Sequence, residues 1–190
     1  MKIYPAEEIT IADEGHVLAY GITDEIEAGM SLDETLDRIR SQNGLSCAAH
    51  PFAVSNGIRE KAVLCDLIES FNSNNVDRIS NLVARRFATE NQLLQVAGSD
   101  SHIPSTIARC TNSLECENKL DCILESMRAG KVTIERSDYI TRDELFEYAH
   151  YVLSTSKESI LREALRRYPR FYKTAKWTLN YYASNPDNPI

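Results

Sequence analysis

The chain has 190 residues, 43% of them hydrophobic and 26% charged, with a formal net charge of −7. This composition excludes a disordered polymer and leaves room for one packed domain plus an appendage. The acidic balance excludes a general attraction to nucleic acid or to an anionic membrane, so an anionic ligand would need local cations, either metal ions or a few Arg and Lys.

Residues 3–10 read as a short strand, and the compact apolar run Gly15 to Ile22 as a second. Ser31-Leu32-Asp33-Glu34 has the spacing of a capping box, followed by Leu32, Leu36 and Ile39 at helical intervals up to Asn43-Gly44. Leu45 to Ala49 is a small-residue strand that runs into His50-Pro51. Glu60 to Cys65 reads as a short helix, Leu67 to Phe71 as a strand, Ser80 to Glu90 as a helix and Leu93 to Gly98 as a strand. A helix from Asn118 to Ala129 closes at Gly130. Alternating strand and helix over residues 1–130 predicts a parallel sheet with right-handed crossovers, in an α/β layer or barrel. Chemistry in such folds gathers at the C-terminal ends of strands, where His50, Asp100 and His102 fall.

Beyond Thr141 the pattern changes to helices at 141–153, 157–167 and 168–182, without strands between. The expected organisation is a domain over 1–138, a helical appendage over 139–184 and a polar tail over 185–190. The appendage is basic from Lys157 to Lys176 and rich in Tyr, Phe and Trp. Packed aromatics with Lys and Arg solvated outside are the simpler account, and contact with nucleic acid or a partner helix is the alternative. No long apolar run and no signal peptide are read from the sequence, so a soluble, cytoplasmic protein that does not engage the membrane is expected. Five cysteines without a C-x-x-C pair fit buried reduced thiols better than disulfides or a zinc knuckle.

There are four histidines. His150 lies in a helical, aromatic segment and reads as a packing or surface residue. His16, His50 and His102 lie at loop–strand junctions, the last in the pair Asp100-x-His102. Extended backbone points residues i and i+2 to one face, so this carboxylate and imidazole can enter one metal cluster. Mixed imidazole and carboxylate sites activate water and clamp phosphate.

Four segments in order carry a family resemblance: Pro5-Ala6-Glu7-Glu8-Ile9-Thr10 with Gly15-His16-Val17-Leu18; Ala49-His50-Pro51-Phe52; Ile68-Glu69-Ser70-Phe71-Asn72-Ser73; and Gly98-Ser99-Asp100-Ser101-His102. Over roughly residues 3–135 the chain resembles the PHP (polymerase and histidinol phosphatase) metal-dependent phosphoesterases. The resemblance implies a distorted (β/α)7 barrel, incomplete here, holding one to three divalent ions (Zn, Mn or Fe). By it Glu8 would bridge, His16 and His50 would share a metal with it, and Asp100 and His102 would each serve another and act in catalysis. Glu69 and Asn72 match a segment lining the site and are candidate substrate contacts, with a salt-bridged or strand-capping role the simpler reading for both. The family's opening His-x-His, the following His or Asp, and the Thr-Asp-His segment are absent. Two explanations compete: an N-terminally incomplete domain, or a remnant that no longer catalyses and instead binds metal or a partner. Retention of five costly polar groups favours the first.

The implied activity is hydrolysis of small phosphorylated substrates, with nucleotides the leading class, by metal-activated water. Arg59 and Arg109 are candidate phosphate contacts, although solvated arginines are commoner. An open barrel edge would favour self-association. A subunit of a larger polymerase-type machine is a weaker reading, against which the size argues.

Overall fold

The two N-terminal apolar runs pair with each other. In the computed structural model, which describes residues 2–155 apart from 13, 14, 55 and 76, together with 176 and 184, β1 (Ala6–Thr10) and β2 (His16–Tyr20) form an antiparallel hairpin. Glu8 lies opposite Leu18, and Thr10 opposite His16. A link of only five residues cannot carry a crossover, so this pairing has to be antiparallel. β3 (Leu45–Ala48) adds to β2 antiparallel, and β4 (Leu67–Asn72) and β5 (Leu94–Gly98) follow in parallel.

Helix α1 (Leu32–Ser41) starts where the capping box predicts: Glu34 N–H donates to Ser31 Oγ at 3.3 Å, and Ser31 N–H donates to Glu34 Oε2 at 3.0 Å. Leu32, Leu36 and Ile39 form its buried stripe. With α2 (Ile79–Glu90), which buries Val83, Ala84 and Phe87, it covers one face of the sheet over Ile9, Val17, Ala19, Ala48 and Ile68. The opposite face, through Leu45, Cys47, Leu67 and Val96, packs on α3 (Leu120–Arg128) through Leu124. The six residues from Arg59 to Leu64 form a 3-10 segment.

The structure corrects the expected barrel. The five strands run in the order β1-β2-β3-β4-β5, with β1 and β5 as the two edges. β6 (Cys110–Leu114) and β7 (Val132–Ser137) form a separate two-stranded antiparallel sheet, so among the described residues no strand joins β5 back to β1. The sheet is also mixed, not parallel. A helix between two strands reads as a parallel crossover, yet α1 connects the antiparallel pair β2 and β3. β6 and β7 escape sequence reading because both are largely polar, with Thr111-Asn112-Ser113 and Glu135-Arg136-Ser137 in place of apolar alternation.

The last described helix, α4 (Arg142–Thr155), matches the first appendage helix. The expectations for 157–167, 168–182 and 185–190 lie outside the described residues, apart from 176 and 184. No described helix is long and apolar enough to cross a membrane.

Candidate metal centre

Strand alternation builds the site. On β2, Val17 and Ala19 point into the packed core, which leaves His16, Leu18 and Tyr20 on the other face, beside Glu8 of β1. On β4, Leu67 belongs to the α3-facing core, Ile68 to the α1/α2 core, and Glu69 returns to the face of Leu67. β3 delivers His50 two residues beyond its end, and β5 delivers Asp100 two residues beyond Gly98.

Three ligand atoms converge. Glu8 Oε1 lies 2.8 Å from His16 Nδ1 and 3.2 Å from His50 Nε2, and the two imidazole nitrogens are 3.3 Å apart. Tetrahedral bonds of about 2.0–2.1 Å would put ligand atoms about 3.3 Å apart, so a divalent ion fits this spacing. The donor chemistry agrees. Without an ion each imidazole can donate an N–H to Glu8 Oε1, and with both nitrogens deprotonated the same three atoms are electron-pair donors facing one point. A set of two imidazoles and one carboxylate suits Zn, Mn or Fe. Among the described residues this is the one set of three or more His, Cys, Asp or Glu that could hold an ion. Asn56 Nδ2 lies 3.1 Å from His16 Nδ1. Nδ1 of His50 is buried and has no hydrogen-bond partner.

The electrostatics follow from the geometry. Hydrogen bonds to His16 and then His50 hold the Glu8 carboxyl far below the usual range. Burial pulls His50 downward, but Glu8, Glu69 and Asp100 together outweigh it and raise the imidazole above its ordinary value. Glu69 is only 4% exposed, and burial pushes its carboxyl up. Its Oε2 accepts the backbone N–H of His50 at 2.8 Å and Asn72 Nδ2 at 3.0 Å. This anchors a strained turn, because His50 has a φ of 29° and Asp100 one of 45°. Non-glycine residues at such φ cost about 1–3 kcal/mol and are held only by surrounding structure. Gly98 is required here: a Cβ would stand 1.7 Å from Glu69 Oε1.

Glu8, His50, Glu69, Asn72, Gly98, Ser99 and Asp100 line a cavity of about 220 Å³, with Leu18, Tyr20 and Ala49 as its apolar wall. Three carboxylates and no Lys or Arg line it. His102 stands behind Asp100, with Nε2 at 3.1 Å from Oδ1. Burial raises the Asp100 carboxyl, but the His102 contact and nearby imidazoles lower it overall, and the same contact raises His102. Arg59 turns back to the Gly57 carbonyl at 2.8 Å, and Arg109 is paired with Glu144, so neither lines the cavity. His150 is exposed on α4. Sequence reading missed Tyr20 and Gly98. Tyr20 was legible as the i+4 partner of His16 on one strand face, whereas nothing in the sequence shows that Gly98 must make room for Glu69.

Residues 78–132 match the family model described as PHP-associated. Two uncharacterized proteins of Methanocaldococcus jannaschii are similar. MJ0417 is 32% identical over 108 residues, covering 52% of this chain and 45% of that protein. MJ1587 is 31% identical over 74 residues, covering 37% and 43%. The chain thus spans under half the length of these curated relatives. Among solved structures, PsfC from Pseudomonas syringae PB-5123 is similar in fold alone, with a TM-score of 0.53 and 16% identity over 81% of this chain and 67% of that one. The matched segment contains α2, β5, Asp100, His102 and α3, and it is this segment that is similar to PHP-associated domains.

Proposed function

We propose that the chain is a metal-dependent phosphoesterase acting on small phosphorylated substrates, nucleotides foremost, with its metal seat at Glu8, His16 and His50. The observation that carries this reading is the convergence of those three ligand atoms at the rim of a cavity lined by three carboxylates and no Lys or Arg. A phosphate monoester could not enter such a cavity against Glu8, Glu69 and Asp100 unless a cation offset them. Zn, Mn or Fe bound there would supply a Lewis acid and a water of lowered pKa.

The chain's own residues do the rest. Glu8 and the two imidazoles hold the ion. Glu69, fixed by the backbone N–H of His50 and by Asn72, keeps the His50 turn in place. Asp100, oriented by His102, is the carboxylate placed to accept a hydrogen bond or proton from an incoming water. Leu18, Tyr20 and Ala49 exclude water from one side of the cavity. The test is metal content after chelator-free purification, then phosphate release from a nucleoside monophosphate panel with Mn. Turnover that His50→Ala abolishes supports the reading. The absence of bound metal, or turnover indifferent to His50→Ala, would sink it.

A second reading is a metal-binding protein without turnover. One observation favours it: the described residues gather a single three-ligand set, whereas two-metal hydrolysis needs a second ion about 3.5–4 Å away. Stable metal binding with no phosphate release from any substrate would select this reading.

A further inference from the structure

We propose that Tyr148 of α4 is a positioning residue: its ring holds the His102 imidazole in the orientation that presents Asp100 to the cavity. This rests on the metal-site reading for what Asp100 does, but not for the placement of His102. The Tyr148 and His102 rings stack with centroids 4.9 Å apart and planes 9° from parallel. The His102 side chain is 45% exposed, so without the stack little would stop it turning into solvent, and its bond to Asp100 Oδ1 at 3.1 Å would break. Held by the ring on one side and the carboxylate on the other, the imidazole has one orientation available.

The helix that carries Tyr148 is fastened to the same loop. Thr141 and Glu144 form a reciprocal cap at the start of α4: Thr141 N–H donates to Glu144 Oε2 at 2.7 Å, and Glu144 N–H to Thr141 Oγ1 at 3.3 Å. The other oxygen of Glu144 accepts from Arg109, Nε at 3.1 Å, and Ser105 Oγ donates to Glu147 Oε2 at 2.7 Å. Ser105 and Arg109 follow His102 in the loop between β5 and β6. Just before α4, Ile140 N–H donates to the Ser73 carbonyl at 3.2 Å, one residue beyond β4. Helix α4 is thus tied to the end of β4 and to the loop that bears Asp100, with Tyr148 one residue beyond the last of these ties. Partners behind a ligand or catalytic carboxylate set its orientation, and removing one costs about 10–100-fold in affinity or activity.

The experiment compares the full chain with Tyr148→Phe and Tyr148→Leu. Proton–carbon spectra of the four histidine rings are assigned by single His→Gln substitutions. In the unsubstituted chain and in Tyr148→Phe, the stacked ring should move the His102 ring protons upfield. In Tyr148→Leu they should return downfield. With Mn and nucleoside monophosphates, kcat should fall about tenfold in Tyr148→Leu at nearly unchanged KM, and Tyr148→Phe should restore it. His102 signals identical in all three chains overturn the inference, whether or not the protein turns over. So does wild-type kcat in Tyr148→Leu. If zinc leaves the His16 and His50 signals unmoved in every chain, the metal-site reading falls alone, and the ring shift still decides the stack.

Discussion

The two faces of the five-stranded sheet hold residues of opposite character within the same strands. Toward α1 and α2, Ile9, Val17, Ala19, Ala48 and Ile68 are almost fully buried against Leu36, Ile39, Val83 and Phe87. On the other face, near the ends of β3 and β5, stand Glu8, His16, His50, Glu69 and Asp100, with left-handed backbone at two of them. The first face is apolar along its length. The second is apolar where α3 covers Leu45, Cys47, Leu67 and Val96, and near the ends of β3 and β5 it concentrates charge and strained φ angles. A single period-two alternation separates the two tasks, so substitutions on either face should move one property and leave the other.

The largest effect on stability should come from the packed face. Ile39 is 0% exposed in the α1 stripe, so Ile39→Ala should cost about 2–5 kcal/mol through lost burial and a residual cavity. Chemical denaturation would measure it, and the zinc affinity of the molecules still folded should not change. The reverse holds for the site. His50→Ala should lower zinc affinity by at least about a hundredfold, or roughly 2.7 kcal/mol, with little loss of apo stability. Calorimetric titration and thermal melts of the same samples test this. If His50→Ala destabilises the apo protein as much as Ile39→Ala does, the division between faces is wrong.

Gly98→Ala joins the two properties. The added methyl would meet the Glu69 carboxylate, which fastens His50 through the backbone, so stability and zinc affinity should both fall. The overpacking part is about 1–3 kcal/mol. A stable Gly98→Ala protein with unchanged zinc affinity would show that Glu69 has another place to go.

The way sequence legibility divides follows the same faces. The α1 stripe and its capping box were readable from helical periodicity, and the strands β3 to β5 as short, largely apolar runs between turn and helix signals. Glu8, His16 and His50 were readable as a set only through the ordered segments around them, since residues 42 positions apart carry no spacing rule of their own. The β6–β7 pair was not readable, because its residues are mostly polar and its pairing, across the intervening α3, is set by tertiary packing. The open sheet was not readable either. Strand–helix alternation does not say whether the last strand returns to the first, and here two of the four pairings in the main sheet are antiparallel. Arg59 and Arg109 were attractive as cations near the site, but side-chain direction took one to Gly57 and the other to Glu144.

The pH response should differ between metal-free and metal-loaded protein. In the apo state the Glu8 carboxyl is depressed, so its contribution is present above the ordinary carboxylate value and is lost as pH falls through the depressed one. The His50 imidazole is raised, so its contribution is complete below the ordinary imidazole value and is lost as pH rises through the raised one. Apo stability from this cluster should therefore be greatest between the two ordinary values, in mildly acid solution. Zinc binding must displace the His50 proton, so its affinity should rise over the range where the apo contribution fades. Thermal melts from pH 4 to 9, with and without zinc, should diverge upward. A constant gap between the two curves would mean that His50 keeps its proton and is not a ligand.

The smallest expected effect returns to the packed face and isolates it from the site. Ser31 accepts the N–H of Glu34 and caps the helix whose Leu36 and Ile39 cover Val17 and Ala19. Ser31→Ala leaves that donor to water and should cost about 1 kcal/mol, a fall in Tm of about 2–4 °C for a chain of this size. The Glu34 carboxyl is lowered by its hydrogen bonds to Ser31, so the part of the cap that Glu34 supplies is present above the ordinary carboxylate value and is lost as pH falls through the lowered one. The Tm difference between the two proteins should therefore shrink in acid. Zinc affinity should be the same for both at every pH, because nothing in the cap reaches the cavity. If Ser31→Ala changes zinc affinity as well as Tm, helix α1 is coupled to the His50 turn through the sheet, and the two faces are not energetically separate.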